Sequence, residues 1–265
     1  MERSINNRIY SGTSGLVLPG AKSSFPPSFR DKSRLYYYAS LYNSIEINSS
    51  FYRPPMISTI QKWAGSVPED FQFTFKLPKY ITHAKGLNFI GANVFSFIDT
   101  INYIGDKQGC ILVQFPPGLK IGLLSQVEKL LYTLGKSGME KRWKIAVEFR
   151  DSGWYDDITL DLLKKFNANL VVHDLPSSCT PLREYPGDIS YIRLHGPGGR
   201  YRGSYDESFL TTYALYINEL RDSGKAVYFY FNNTMGDAIN NLNRLNQLVK
   251  AERKVRCIML PDELF

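Results

Sequence analysis

Eight short runs of β-branched and aromatic residues alternate with stretches of helical periodicity, and this alternation limits the possible folds most strongly. The runs that predict strands lie at 8–13, 44–48, 71–76, 109–115, 143–149, 169–174, 189–195 and 226–232. The stretches that predict helices lie at 31–41, 56–65, 92–101, 122–136, 157–166, 206–222 and 236–250. Strands that alternate with helices form parallel βαβ units. Eight of them in 265 residues predict one α/β domain over 1–265, a TIM-type (β/α)₈ barrel, ahead of an open doubly wound sheet.

The order of polar and apolar residues inside the strands predicts which side chains enter the barrel. Successive side chains of a strand point to opposite faces, so Val147 lies on an apolar face and Glu148 and Arg150 on a polar one. Burying unpaired charges under the helices would cost several kcal/mol, so the polar faces are expected inside. The polar side chains near the C-terminal ends of the strands then meet at one mouth, where barrel enzymes have their active sites. They are Glu46, Asn48, Lys76, Gln114, Glu148, Arg150, His173, Arg193, His195 and Asn232.

Eight sequence blocks lie in order along nearly the whole chain. They are GTSG (12–15), EINSSFYRPP (46–55), FQFTFKLPKYITH (71–83), GDKQGCILVQFPP (105–117), IAVEFRDSGW (145–154), VVHDLP (171–176), YIRLHG (191–196) and YFNNTMGDA (230–238). Together they resemble the domain-of-unknown-function 72 family, also called YecE-like. The resemblance implies a TIM-type barrel and no particular reaction. Where the family usually has Trp and Tyr after its first block, this chain has Leu16 and Leu18.

Glu46 and Glu148 are the candidates for acid/base catalysis or metal binding. Three strands separate them, so they are expected to face each other across the mouth as paired carboxylates. The alternative is a salt-bridge lattice in which Lys76, Arg150 and Arg193 neutralise both glutamates. The sequence leaves both alternatives open.

His173 and His195 are predicted to assist the glutamates as metal ligands or proton carriers. With Asp174, they would suit a divalent metal such as zinc or manganese. The chain has only three histidines and no HxxxH or HExxH pair, so hydrogen-bonded pocket histidines are the other alternative. The identity and the presence of a metal stay open.

Basic and amide side chains predict recognition of an anion. Arg offers two parallel N–H groups to a phosphate or carboxylate. The loop that follows the seventh strand, 196–205, is glycine-rich and then basic, and is expected to act either as a mobile lid or as an ordinary surface loop. The predicted substrate-binding residues are Asn48, Tyr52, Lys76, Gln114, Arg150, Arg193 and Asn232.

Composition predicts the cellular compartment and the class of binding partner. A net charge of +7 favours an anionic partner, either a small molecule or a nucleic acid. Three separated cysteines without a CxxC pair, no signal-like apolar run in residues 1–8 and no long apolar segment predict a cytoplasmic protein without a membrane span. Whether a protein partner completes the site stays open.

These features rank several functions. The leading hypothesis is a barrel enzyme that acts on a phosphate-bearing or otherwise anionic substrate, with metal-dependent phosphodiester hydrolysis on nucleic acid as one version. The alternatives are a sugar-type isomerase or epimerase that uses the paired glutamates, and a binding protein that holds an anionic ligand without turnover. The GxGxxG, Walker A and GxSxG motifs are absent, which argues against dinucleotide-dependent dehydrogenases, P-loop kinases and serine hydrolases.

Overall fold

A single sheet of eight parallel strands forms the centre of the molecule. The structure, a computed structural model, describes residues 8–138 and 143–259, and the side chains as far as residue 252. The strands neighbour each other in the order β1-β8-β7-β6-β5-β4-β3-β2. They are β1 (Ile9–Thr13), β2 (Ser44–Ile47), β3 (Gln72–Lys76), β4 (Gln108–Gln114), β5 (Lys144–Glu148), β6 (Ala168–His173), β7 (Ile189–Leu194) and β8 (Ala226–Phe231). The predicted TIM-type barrel is confirmed.

Helices connect the strands in the expected alternation. Each of the seven predicted helical stretches overlaps a helix, and the chain between β6 and β7 holds neither helix nor strand, as predicted. One four-residue helix after β3 was not predicted. The helices are α1 (Arg34–Leu41), α2 (Ile57–Ala64), α3 (Lys79–Thr82), α4 (Gly91–Asn102), α5 (Leu124–Lys136), α6 (Asp157–Lys165), α7 (Glu207–Asp222) and α8 (Ala238–Met259). Among the described residues, none of these helices is both long and apolar enough to cross a bilayer.

Local sequence explains where several helices begin. Ser33, Asp156 and Asp206 precede α1, α6 and α7, and each side chain accepts a hydrogen bond from a backbone N–H in the first helical turn. Such caps satisfy donors that the helix itself leaves unpaired. They fix the points at which the chain leaves the mouth and turns back along the barrel wall.

The two faces of the strands enter two different cores. The outward residues, such as Phe75 and Val147, lie in the large core that the helices cover. The inward residues below the mouth form a second, smaller core that includes Tyr10, Tyr191 and Tyr228. The rings of Tyr10 and Tyr228 stack with their centroids 4.7 Å apart. Tyrosine rings therefore fill much of the barrel beneath its charged mouth.

The barrel closes between β1 and β2 through few backbone contacts. Ser14 and Glu46 form an isolated parallel bridge, and the backbone N–H of Gly15 donates to the carbonyl oxygen of Glu46 at 2.7 Å. Lower down, the Asn43 side chain accepts a hydrogen bond from the Ser11 N–H at 2.9 Å and donates to the backbone of β1. This closure brings the first and second strands together at the mouth, where Glu46 lies.

Candidate functional site

Glu46 is held at the mouth by four hydrogen bonds. Its Oε1 accepts from Ser14 Oγ at 2.5 Å and from Arg193 Nη2 at 2.7 Å. Its Oε2 accepts from Tyr191 Oη at 2.6 Å and from Arg193 Nε at 2.9 Å. The carboxylate is fully buried, and burial alone would raise its pKa, but Arg193, Ser14 and Tyr191 together lower it. Glu46 is therefore ionised at neutral pH, and both its oxygens are engaged.

Glu148 binds the other side of the same arginine. Its Oε2 accepts from Arg193 Nη1 at 2.6 Å, and its Oε1 accepts from Arg150 Nε. Burial opposes ionisation here too, but the charges of Arg150 and Arg193 hold the pKa of Glu148 well below its usual range. Arg193 thus lies between Glu46 and Glu148 and bridges them. The lattice that the sequence left open exists, and it is built by Arg150 and Arg193.

His195 lies on this lattice and is neutral. Its Nε2 is 3.2 Å from Arg150 Nη2 and 3.2 Å from Arg193 Nη1. Guanidinium nitrogens only donate, so Nε2 is an acceptor and the ring proton is on Nδ1, 3.2 Å from Asp174 Oδ1. Burial, aided by the two guanidinium charges, lowers the pKa of His195 to about 4 despite the opposing effect of Asp174 and Glu148.

His173 lies in a different network. Its Nε2 is 2.8 Å from the carbonyl oxygen of Phe149 and 3.0 Å from Tyr155 Oη, and its Nδ1 accepts from the Leu175 N–H at 3.3 Å. Both ring nitrogens are engaged, and burial lowers the pKa of the imidazole. These contacts tie together the ends of β5 and β6, with Tyr155 also donating to the backbone of Ser178.

Lys76 is a half-buried cation that, unlike Arg150 and Arg193, forms no ion pair with the described residues. No carboxylate of the described residues lies within ion-pair distance of its Nζ, which sits 4.1 Å from the centre of the Phe51 ring. The same ring packs against His83 in a T-shaped arrangement, with centroids 4.9 Å apart. Burial is the main cause that lowers the pKa of Lys76 to about 8, and the charges of Arg193 and Arg150 add to it, while Glu148 and Glu46 oppose it.

The loop after β7 covers Arg150. Tyr201 Oη is 3.5 Å from Arg150 Nη1, and Tyr201 itself has a φ of 62°, a left-handed conformation that costs about 1 kcal/mol or more outside glycine. Its N–H donates to His195 O at 2.8 Å, and its carbonyl oxygen accepts from the Met235 N–H at 3.1 Å. The loop is thus hydrogen-bonded both to the end of β7 and to the loop after β8.

The remaining predicted residues are spread around the mouth. Gln114 is buried and donates to the carbonyl oxygen of Phe115 at 2.5 Å. Asn232 is buried at the end of β8, and its N–H donates to the backbone of β7. Asn48 begins the 3₁₀ turn after β2, and its buried Oδ1 accepts no hydrogen bond from the described residues. Tyr52, the residue after this turn, is 78% exposed.

Sequence comparison identifies the family. The family described as "Protein of unknown function DUF72" matches residues 10–263. The chain belongs to the DUF72 family. A relative in Bacillus subtilis, "UPF0759 protein YunF", is 26% identical over 87% of this chain and 91% of its own length. The Escherichia coli K12 protein YecE, also named UPF0759, is 28% identical over 30% of this chain and 29% of its own length.

Solved DUF72 structures share the fold. A DUF72 family protein from Thermotoga maritima superimposes with a TM-score of 0.76 at 24% identity, covering 92% of this chain and 99% of that one. One from Enterococcus faecalis superimposes with a TM-score of 0.75 at 20% identity, covering 91% and 95%. These likenesses agree with the barrel and with the family resemblance seen in the sequence blocks.

Several residues of this DUF72 site escaped prediction. Tyr191 shares strand parity with Arg193, so the alternation pattern itself could have found it. Ser14 and Phe51 lie in the sequence blocks, but nothing in their spacing indicates contact with Glu46 or Lys76. Asp174 was considered only as a metal ligand, whereas it accepts hydrogen bonds from the backbone N–H and the Nδ1–H of His195 and from the Tyr205 hydroxyl group.

The donor geometry does not favour a metal at this DUF72 mouth. Within 8–138 and 143–252, no three His, Cys, Asp or Glu side chains come together in a way that could hold a metal ion. The carboxylate oxygens of Glu46 and Glu148 face guanidinium groups instead. A cation placed there would have to displace Arg193.

Proposed function

We propose that the barrel mouth of this protein binds a small phosphate- or carboxylate-bearing molecule as the substrate of an enzyme. One observation carries the proposal: Lys76 is a half-buried cation that no described carboxylate neutralises, next to a lattice in which Arg193 is neutralised twice. A buried charge without a counter-ion is costly, so a protein retains one where a ligand supplies the opposite charge. The C-terminal mouth is also where barrel enzymes bind substrates.

Arg150 is the second residue that would contact the anion. Its Nε donates to Glu148, its side chain is 12% exposed, and among the described residues its Nη1 makes only the long contact to Tyr201. Glu148 and His195 hold the guanidinium in one orientation. An arginine fixed before the substrate arrives stabilises developing negative charge without reorganisation.

The glutamates and His195 would act as positioning residues in this proposal. The contacts offer less support to the versions in which a glutamate takes a proton or binds a metal. A paired-carboxylate isomerase and a metal-dependent phosphodiesterase both need a carboxylate oxygen free to react, and all four oxygens of Glu46 and Glu148 already accept hydrogen bonds. A binding protein without turnover would use the same anion contacts and is distinguished by the absence of product.

Anion binding can be measured through thermal stability. Inorganic phosphate and oxalate, each added at constant ionic strength against chloride, are expected to raise the Tm of the native protein, because a ligand at 100 times its Kd adds about 2.7 kcal/mol to the free energy of unfolding. Lys76→Ala and Arg150→Ala are expected to lose most of this rise. Lys79→Ala removes an exposed lysine three residues along the chain and is expected to keep it.

Three results would contradict or redirect the proposal of an anion site at the mouth. If neither anion raises the Tm of the native protein, or if Lys76→Ala responds as the native protein does, the mouth is not the anion site. The nucleic-acid version would instead be favoured by two results together. The phosphate-induced rise in Tm would shrink steeply as the salt concentration increases, and the protein would bind single-stranded DNA.

A further inference from the structure

We propose that Lys76 is a nucleophile that forms an imine with an aldehyde or ketone carbonyl carried by the anionic substrate. This inference rests on the proposed function for the position of the anion, and it narrows the substrate class to carbonyl compounds that bear a carboxylate or phosphate. Lys76 would then have two roles: its positive charge attracts the anionic group, and its neutral amine forms a covalent bond with the substrate.

The position of the amine is well defined. Lys76 ends β3, and its carbonyl oxygen accepts a hydrogen bond from Ser50 Oγ at 2.7 Å; the same hydroxyl group also contacts the carbonyl oxygen of Ile47 at 2.7 Å. The turn Asn48–Phe51 is thereby joined to the end of β3. It presents the Phe51 ring beneath the Lys76 side chain, 4.1 Å from Nζ. The backbone of Lys76 is thus held by a hydrogen bond, and the Phe51 ring positions its amine, as a nucleophile requires.

The charges around Lys76 favour the neutral amine. A lysine becomes nucleophilic when it is desolvated or lies near another cation. Both conditions hold here: the side chain is half-buried, and Arg193 and Arg150 act on it from β7 and the end of β5. Glu46 and Glu148 act in the opposite direction, but their charges are already paired with the two arginines.

The aromatic neighbours His83 and Phe51 also affect the equilibrium between the amine and ammonium forms of Lys76. His83 contributes no positive charge near neutral pH, because burial and the charges of Lys76, Lys79 and Arg150 lower its pKa to about 4. The Phe51 ring favours the ammonium form, although by only about 1 kcal/mol for a partly exposed contact. With its pKa lowered to about 8, Lys76 is about one-tenth amine at pH 7, whereas an ordinary lysine, with a pKa of about 10.4, is almost wholly ammonium.

Two other lysines differ from Lys76 in having their Nζ engaged. Lys225 is buried, and its Nζ donates to the carbonyl oxygen of Tyr185 and lies 3.3 Å from Glu184. Lys165 is exposed and pairs with Glu128 at 2.6 Å. Nothing of this kind holds the Nζ of Lys76 among the described residues.

The covalent step balances without any further reagent. The neutral amine attacks the carbonyl carbon, a C–N bond forms, and the proton released by nitrogen moves to the carbonyl oxygen to give a carbinolamine. A second proton, from solvent, converts the hydroxyl group into water, which leaves as the nitrogen lone pair forms the protonated imine. No oxidant or reductant takes part, and Arg150 holds the anionic group of the substrate.

Asn48 supplies an acceptor beside this step. It follows Ile47, which pairs with Phe75 in the β2–β3 register, so it lies alongside Lys76 at the mouth. Its Oδ1 is buried, and no described residue donates to it. A buried oxygen without a donor is unfavourable unless a ligand supplies one. The hydroxyl group of the carbinolamine and the N–H of the imine are both donors of the required kind.

Reductive trapping tests the nucleophile directly. The native protein would be treated at pH 7 with glyoxylate, or with the uncharged glycolaldehyde, in the presence of cyanoborohydride, which reduces an imine to a stable secondary amine. Peptide mapping by mass spectrometry then gives the labelling rate of each lysine. Lys76 is expected to react about tenfold faster than the exposed Lys79, because its larger amine fraction outweighs its lower basicity. Glyoxylate is expected to label Lys76 faster than glycolaldehyde does.

Variants and pH separate this inference from the proposed function. Lys76→Arg keeps the charge and cannot form an imine, so it is expected to lose the label and keep the phosphate-induced rise in Tm. Lys79→Arg is the matched control and keeps both. The labelling rate of Lys76 is expected to level off above about pH 8.

The outcomes differ for each idea. If Lys76 reacts no faster than Lys79 with either aldehyde, the assignment of Lys76 as a nucleophile is wrong, whatever effect phosphate has on the Tm. If Lys76 reacts fast but glyoxylate has no advantage over glycolaldehyde and phosphate leaves the Tm unchanged, the nucleophile is supported and the anion site is overturned. The comparison of two lysines within the native protein holds even if Lys76→Arg does not fold.

Discussion

Arg193 is the residue on which the buried charges of the mouth depend. Its side chain is only 1% exposed, and its three nitrogens donate to Glu46 and Glu148. Arg193→Leu would leave Glu46 buried without a counter-charge and Glu148 paired with Arg150 alone, so we expect a loss of about 3–5 kcal/mol in the free energy of unfolding. Urea denaturation measures this loss. Arg244→Leu, which breaks an exposed ion pair with Glu207, is the control, and an equal fall of the urea midpoint in both variants would contradict the argument.

Strand parity predicted the direction of these side chains but not their partners. It placed Glu46, Glu148 and Arg193 on inward faces, and all three are inside the barrel. That one arginine lies between the two glutamates depends on how β7 faces β2 across the barrel, a relation that no local pattern contains. Tyr52 was predicted in the site because it follows β2. The 3₁₀ turn after that strand instead leaves its ring in solvent.

The seam between β1 and β2 is the element on which barrel closure depends, and Gly12 permits it. A Cβ at Gly12 would overlap the carbonyl oxygen of Ser44 and lie 2.7 Å from Tyr38 Oη. Gly12→Ala must therefore push the strands apart, and we expect it to lower the free energy of unfolding by about 1–3 kcal/mol. Gly118→Ala is the matched control, because its Cβ meets no atom within 4 Å. Equal stability of the two variants in urea would show that the seam tolerates a wider spacing.

The elements themselves were largely predictable, and the reason is the length of their patterns. Each predicted strand overlaps an observed one, since a half-buried strand repeats every two residues and shows its period within five. Helix α3 spans only Lys79–Thr82, too short for helical periodicity to appear. The 3₁₀ turn Asn48–Phe51 escaped prediction for the same reason, yet it places Phe51 under Lys76. The strands therefore supply the charged residues of the site, and a short turn that no periodicity reveals supplies the ring beside Lys76.

Over the whole molecule, lowering the pH reduces stability first through the histidines and then, at lower pH, through the glutamates. The pKa values of His83 and His195 are lowered to about 4, and that of His173 is lowered too, in each case mainly by burial. A base whose pKa is lower in the folded protein takes up its proton on unfolding, so protons favour the unfolded chain as pH falls from about 6.5 towards 4. The lowered pKa values of Glu46 and Glu148 add a further loss, which begins near pH 5 and continues at lower pH.

We therefore expect the free energy of unfolding to fall as the pH is lowered from 6.5 to 5.5, a range in which the glutamates contribute little. One proton taken up on unfolding gives a slope of about 1.4 kcal/mol per pH unit. His195 is fully buried, and its ring meets Asp174, Arg150 and Arg193, so His195→Gln is expected to make the fall shallower by up to that slope. Urea titrations at several pH values would measure it. Parallel curves for the two proteins would mean that His195 is already protonated in the fold, in which case its Nε2 could not accept from the arginines, and the orientation of Arg150 would need another cause.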